Sequence, residues 1–147
     1  KLKDSKCNQA QFILLSLGNE DALNWCVEMA EKDVEKLCEY SNVPSLAYEG
    51  IKYLPQLLRL LKAVWKFHEN SFHKWPKVVQ DALGNMAEKN IEQHDVVVSE
   101  LENLRDSYKN FASLNFFIHS IKTNHNPRTK SEGFTVKGAY EFIVSNP

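Results

Sequence analysis

The spacing of apolar residues between positions 51 and 72 constrains the fold more than any other feature of this sequence. One row recurs at intervals of three and four, which is the period of an α-helix with one face against a core and not the period of two of a β-strand. We therefore predict a helix here, and a second apolar row predicts that this helix is the most buried element. The first row is Ile51, Leu54, Leu58, Leu61, Trp65, His68 and Phe72, and the second is Leu57, Leu60, Val64 and Phe67.

Helical periodicity covers most of the remaining chain, and no segment alternates apolar and polar residues convincingly as a half-buried strand does. Pro55 interrupts the row described above, so the helix either restarts with proline in its first turn or kinks there. Residues 122–133 hold almost no apolar side chain and are predicted to form a long loop. The other predicted helices cover residues 5–17, 20–41, 76–112, 114–121 and 135–144. The helices over 76–112 and 114–121 are either separated by a bend near Ser113 or form one continuous helix.

Glycine and asparagine mark the sharpest predicted corner. Gly18 is suited to the position after a helix and Asn19 to the N-cap of the next one. Glu20 and Asp21 follow in the new first turn, where the helix dipole favours negative charge. We therefore predict two helices joined directly at residues 18 and 19, and a second break at Asn42-Val43-Pro44.

Composition and charge, together with the helical pattern, predict the fold class. With 147 residues, 43% of them apolar, the chain fits one globular domain and excludes disordered and collagen-like classes. Net charge alternates along the chain, from +2 for residues 1–18 through −6, +5 and −5 to +3 for residues 109–147. Alternation favours neighbouring helices of opposite charge. We predict that residues 1–147 form an all-α, single-domain up-and-down bundle of about five or six helices.

Cysteine usage and the chain ends predict the setting of the protein. Three cysteines (Cys7, Cys26 and Cys38) are an odd number, and no Asn-x-Ser/Thr acceptor occurs. The chain opens at Lys1 without a signal region, and its apolar runs are too short for a membrane span. We expect a domain from a longer intracellular protein, cytoplasmic or nuclear. A processed, secreted helical cytokine is the alternative.

Two local features bear on surfaces and repeats. Trp25 lies off the apolar stripe of its predicted helix, so it either packs against the first helix, which we favour, or belongs to a partner surface. The sequence from Met29 to Glu35 is similar to that from Met86 to Glu92. We interpret this as a chance likeness between two amphipathic helices, with a duplicated hairpin as the alternative.

Basic residues concentrate in one region near the predicted loop. Their side chains could hold an acidic peptide, a phosphate group such as a phosphoinositide headgroup, or an RNA backbone. A solvated loop without function is the alternative. The candidate binding residues are His119, Lys122, His125, Arg128, Lys130 and Lys137.

His68 and His94 are the candidates for buried chemistry, because both fall on apolar rows of predicted helices. We interpret them as hydrogen-bonded core or interface histidines. A pH-sensitive layer is an alternative, and a metal site needs further ligands that the spacing does not supply. We therefore predict no metal and no cofactor.

The function predicted from these observations is non-catalytic. Phosphate-binding glycine loops, nucleophile elbows and paired-cysteine motifs are all absent from the sequence. We expect a protein-interaction or scaffold domain that binds a peptide or helix of another protein in a helix-lined groove. The alternatives are an enzyme or ligand-binding bundle with a histidine-containing pocket, and a phosphate- or RNA-binding surface at the basic region.

Overall fold

Apolar residues that recur every three to four positions form helices, and no β-strand occurs in the part of the chain that the structure describes. The computed structural model describes residues 2–39, 43–70 and 73–131. The α-helices are α1 Leu2–Ser16, α2 Glu20–Lys32, α3 Val34–Cys38, α4 Leu54–Val64, α5 Trp75–Glu88, α6 Ile91–Ser107, α7 Leu114–Asn124 and α8 Pro127–Ser131. Three 3₁₀ turns cover Ile51–Tyr53, Trp65–Phe67 and Lys109–Phe111. None of these helices combines the length and the apolarity needed to cross a bilayer.

The predicted all-α helical bundle is confirmed. Among the described residues, six helices have at least eleven residues, where about five or six were expected, and α3 and α8 add two of five residues each. The chain divides into two compact units, Lys1–Met86 and Ala87–Pro147. In the first, α2 packs against α1 and α4, and in the second α6 packs against α7. That residues 1–147 form a single domain stays a prediction.

The corner at Gly18 and Asn19 is confirmed in detail. Gly18 has a φ of +80°, which favours glycine, and a Cβ there would lie 2.7 Å from the carbonyl oxygen of Ala47. Asn19 caps α2, since its side-chain oxygen accepts a hydrogen bond from the Ala22 N–H at 2.9 Å. The buried Tyr48 holds the same corner by donating its hydroxyl to the Asn19 carbonyl at 2.5 Å.

Two long predicted helices are each interrupted by an Asx residue. The helix predicted over 20–41 ends at Lys32, and the helix predicted over 76–112 ends first at Glu88. Asp33 and Asn90 stand at these breaks and cap the helices that follow, α3 and α6. Their carboxylate and amide oxygens accept hydrogen bonds from the backbone three residues later, so a strong cap outweighs a continuous apolar pattern.

The sequence left two alternatives at Pro55, a restart of the helix or a kink, and the structure shows the restart. Pro55 lies in the first turn of α4, and a 3₁₀ turn precedes it, so the helix restarts at this point. Most of both apolar rows is buried, with Leu57 and Leu60 fully so, but Ile51 at the start of the first row is exposed and Leu58 is half-buried. The helix ends at Val64 and continues as a 3₁₀ turn to Phe67, short of the predicted end at Phe72, which lies outside the described residues.

The prediction that this helix is the most buried element is wrong, because α5 buries a larger share of its residues. The reason is the small side chains of α5, since Ala82, Gly84 and Ala87 are buried beside its large apolar residues. Trp75 opens the helix fully buried, and its indole N–H donates to the Leu37 carbonyl at 3.1 Å. This hydrogen bond joins α5 to α3 within the first unit.

The long loop predicted over residues 122–133 is also wrong for residues 122–131, the part of it that the structure describes. α7 continues to Asn124, and α8 begins at Pro127 after a connection of two residues. Asn126 accepts a hydrogen bond from the Arg128 N–H at 3.0 Å, and proline is favoured in a first helical turn, so local capping forms a helix without apolar residues. A bend does separate α6 from α7 near Ser113. The helix predicted over 135–144 lies outside the described residues.

Candidate functional site

The structure places the candidate basic residues along α7 and α8 of the second unit. His119 and Lys122 are exposed on α7, His125 ends that helix, and Arg128 is exposed on α8. Lys130 belongs to α8, but its side chain, like the whole of Lys137, lies outside the described part of the chain.

Acidic side chains face three of these residues. Arg128 donates two hydrogen bonds of 2.8 Å to the carboxylate of Asp95 on α6. His125 donates through Nδ1 to Glu88 Oε1 at 2.5 Å, and Lys122 Nζ lies 3.6 Å from Glu102 Oε2. The hydrogen bond from Arg128 lowers the pKa of Asp95, so this carboxylate stays ionised beside its partner. An incoming phosphate would have to compete with carboxylates that already bind these three side chains.

The two core histidines have structural hydrogen bonds. His94 is buried on α6 and donates from Nδ1 to the His125 carbonyl at 2.9 Å. His68 is half-buried, donates from Nδ1 to the Trp65 carbonyl at 2.6 Å and stacks on the Trp65 ring with centroids 4.3 Å apart. Across the described ranges, no cluster of three His, Cys, Asp or Glu side chains is arranged to hold a metal ion. These contacts favour the interpretation of both residues as hydrogen-bonded packing histidines.

A groove on the outer face of α2 and α3 combines apolar and charged side chains. We call it the Trp25 groove; it has a volume of about 310 Å³ and is lined by Trp25, Glu28, Met29, Lys32, Asp33 and Lys36. Residues three and four apart on a helix share a face, which brings Trp25, Met29 and Lys32 together on α2. Asp33 then ends α2 through a hydrogen bond from its N–H to the Met29 carbonyl at 2.8 Å and starts α3 with its side chain.

Trp25 forms the apolar floor of this groove together with Met29. Its ring meets Phe12 of α1 edge to face, with centroids 6.1 Å apart, so the prediction that Trp25 packs against the first helix is confirmed. The same side chain is half-buried and lines the groove, as does Met29. A ring held by a neighbouring helix presents a pre-ordered apolar surface, which lowers the entropic cost of binding.

One sequence signal pointed towards this groove. Trp25 and Met29 are four residues apart and both lie off the core stripe formed by Leu23, Val27 and Ala30. The basic residues were predicted as the binding site instead, because the sequence alone does not show that acidic residues of α5 and α6 face them.

Comparisons of the chain with protein-family models, with curated proteins and with solved structures gave no match.

Proposed function

We propose that this chain is a non-catalytic protein-interaction module of a larger intracellular protein, and that it binds a peptide or helix of its partner in the Trp25 groove. The supporting observation is the half-buried pair Trp25 and Met29, held on a helical surface between charged side chains. Aromatic residues dominate binding energy at protein interfaces, and methionine adapts to apolar partners of different shapes.

Other functions expected from the sequence have weaker support. The basic residues of α7 and α8 would bind a phosphate or an RNA backbone, but Lys122, His125 and Arg128 each face a carboxylate within the chain. An enzyme with a histidine-containing pocket would need a histidine free to act on a substrate. His94 is only 3% exposed, so a substrate could reach little of its ring, and the ring of His68 is stacked on Trp65.

The experiment that tests the proposal compares partner capture by the 147-residue chain and two single variants. Met29→Glu places a charge on the floor of the Trp25 groove. Leu17→Glu is the control, because Leu17 is an apolar side chain of the same unit, 73% exposed and outside the groove. Circular dichroism melting establishes that both variants are folded.

We expect the native chain and Leu17→Glu to enrich the same proteins from cell extract in quantitative mass spectrometry, and Met29→Glu to lose them. Capture of the same set by Met29→Glu as by the native chain would show that the groove is not the binding site. Loss with both variants would indicate non-specific adhesion to apolar surface and would also contradict the proposal.

A further inference from the structure

A second groove lies in the second unit, where α6 and α8 begin. Ile91 is the first residue of α6 and is 44% exposed, and Pro127 is the half-buried first residue of α8. Both belong to this groove, which therefore presents apolar surface that is open to an occupant. We call it the Ile91 groove; it has a volume of about 470 Å³ and is lined by Lys89, Asn90, Ile91, Glu92 and Pro127.

The elements that form this groove are held to one another. Arg128 of α8 donates two hydrogen bonds of 2.8 Å to the carboxylate of Asp95. Asp95 lies four residues after Ile91 and so shares its face of α6. The His94 ring donates a hydrogen bond of 2.9 Å to the carbonyl of His125, which lies two residues before α8 begins. A surface fixed in this way loses little conformational entropy when it binds.

The residues that follow α8 are rich in large apolar side chains. α8 ends at Ser131, and we call residues 134–144, which lie outside the described part of the chain, the apolar segment. α8 is about 6 Å long, and the chain from Ser131 to Phe134 spans at most about 11 Å. Phe134 can therefore turn back as far as Pro127. The large apolar residues of the segment are Phe134, Val136, Tyr140, Phe142, Ile143 and Val144.

The apolar segment has the spacing of a helix that needs a surface to pack on. Val136, Tyr140 and Ile143 recur at intervals of four and three, and they are the basis of the helix predicted over 135–144. Helices shorter than about twelve residues are marginal in water and gain most of their stability from packing of an apolar face. An apolar surface within reach would therefore stabilise this helix, and the Ile91 groove is such a surface.

Covalent linkage favours the apolar segment over a separate molecule as the occupant. A short tether gives a segment an effective concentration in the millimolar range, which an unlinked copy or partner has to match. Charge does not oppose this docking, because neither side has a net charge. The segment carries Lys137 and Glu141, and the groove is lined by Lys89 and Glu92.

We propose that the apolar segment docks in the Ile91 groove and covers Ile91 and Pro127. The occupant is this chain's own segment, not a second copy and not another protein. The inference does not depend on the proposed function, because the Trp25 groove belongs to the first unit.

Photo-cross-linking of the full 147-residue chain identifies the occupant. The cross-linking amino acid p-benzoylphenylalanine replaces Ile91 in one variant and Val96 in the control, because Val96 is 42% exposed on the same helix and does not line the groove. After irradiation of the purified protein, gel electrophoresis separates single chains from cross-linked copies, and mass spectrometry of the digest locates the linked residues. We expect position 91 to cross-link to residues 134–144 of the same chain, and position 96 not to do so.

Hydrogen exchange followed by mass spectrometry measures the same contact without a cross-linker. Ile91→Asp places a charge in the groove, and an aspartate is favourable in the first turn of a helix, so α6 is retained. Val96→Asp is the matched control, and circular dichroism melting checks that both variants are folded. We expect the amides of residues 134–144 to exchange about tenfold faster in Ile91→Asp, because the burial of the isoleucine is lost. They should keep their native rates in Val96→Asp.

Three results would overturn this proposal. Cross-links from position 91 that join only two copies would assign the groove to self-association. The absence of any cross-link from position 91 to residues 134–144 would show that the segment does not occupy the groove. Equal exchange of these residues in the native chain and in Ile91→Asp would show that Ile91 does not hold them. Each of these results leaves the proposed role of the Trp25 groove standing.

Discussion

Asp33 and Asn90 occupy equivalent positions in two helix–cap–helix junctions. Asp33 Oδ1 accepts a hydrogen bond from the Lys36 N–H at 3.2 Å, and Asn90 Oδ1 accepts one from the Gln93 N–H at 2.8 Å. These junctions are the two stretches whose sequences are similar, Met29–Glu35 and Met86–Glu92. The two sequences are therefore similar not only because both are amphipathic but also because each ends one helix and caps the next.

Removing the cap of α6 should destabilise the protein. Asn90→Ala leaves the Gln93 N–H without its acceptor, and we expect the free energy of unfolding to fall by about 1 kcal/mol. Asn90→Asp keeps an acceptor and should retain native stability. Asn85→Ala, an exposed position inside α5, is the control and should be neutral or slightly stabilising. Urea denaturation followed by circular dichroism measures each value, and equal losses for Asn90→Ala and Asn90→Asp would contradict the role of the cap.

Two glycine substitutions should have opposite consequences. Gly18→Ala forces a side chain into a φ of +80° and puts its Cβ 2.7 Å from a backbone oxygen, so we expect a loss of about 1–3 kcal/mol. Gly50 has a φ of −76°, and a Cβ there meets nothing closer than 3.7 Å. Gly50→Ala should therefore change stability by no more than about 1 kcal/mol, in the stabilising direction. Thermal melting compares the two variants, and similar melting temperatures would refute this account of the α1–α2 corner.

The ion pair between Arg128 and Asp95 should be visible in an acid titration. The hydrogen bond from Arg128 holds the pKa of Asp95 below its ordinary value of 3.8. A carboxyl group with a lowered pKa in the folded state stabilises the protein above its ordinary pKa. That contribution is lost as the pH falls through the lowered value.

Carbon-13 NMR of the Asp95 carboxyl group measures this pKa directly. We expect Arg128→Gln to return it towards 3.8. Lys109→Gln, at an exposed lysine in the 3₁₀ turn after α6, should leave it unchanged. An identical titration of Asp95 in the native chain and in Arg128→Gln would show that the pair does not persist in solution.

The thiols of Cys26 and Cys38 should differ in reactivity. Burial raises the pKa of Cys26 to about 12 and makes the sulfur inaccessible, since none of the side chain is exposed. Burial and then the charge of Glu35 raise the pKa of the half-buried Cys38 to about 11. The thiolate is the reactive form, so at pH 8 iodoacetamide should modify Cys38 slowly and Cys26 only in urea. Mass spectrometry of the digested protein locates the label, and rapid labelling of Cys26 in the folded chain would contradict its burial.

Local signals explain how much of the fold could be predicted from the sequence. The helical class follows from apolar spacing, and the corner at Gly18 and the restart at Pro55 follow from backbone preferences of single residues. The breaks at Asp33 and Asn90 were missed because the apolar pattern continues through them. A cap signal was present all the same, since Asn90 is followed three residues later by Gln93, the spacing of a capping box.

The candidate site depended far more on distant contacts. Trp25 could be identified from the sequence as lying off the core stripe, but its contact with Phe12 and the groove beside it require α1 and α3 in place. The basic residues could be located in the sequence, but the carboxylates that lie beside them in the fold could not. His125 meets a carboxylate 37 positions away, and Arg128 meets one 33 positions away.

The sequence by itself determined where helices form and where several of them turn, because helix period, capping and backbone freedom act over a few neighbouring residues. Only the tertiary structure decided which charges are compensated. Coulomb attraction depends on the distance between two charges in space, and that distance is set by the packing of helices far apart in the chain. Packing therefore pairs Arg128 with Asp95 and Arg59 with Glu31, residues about thirty positions apart in the chain.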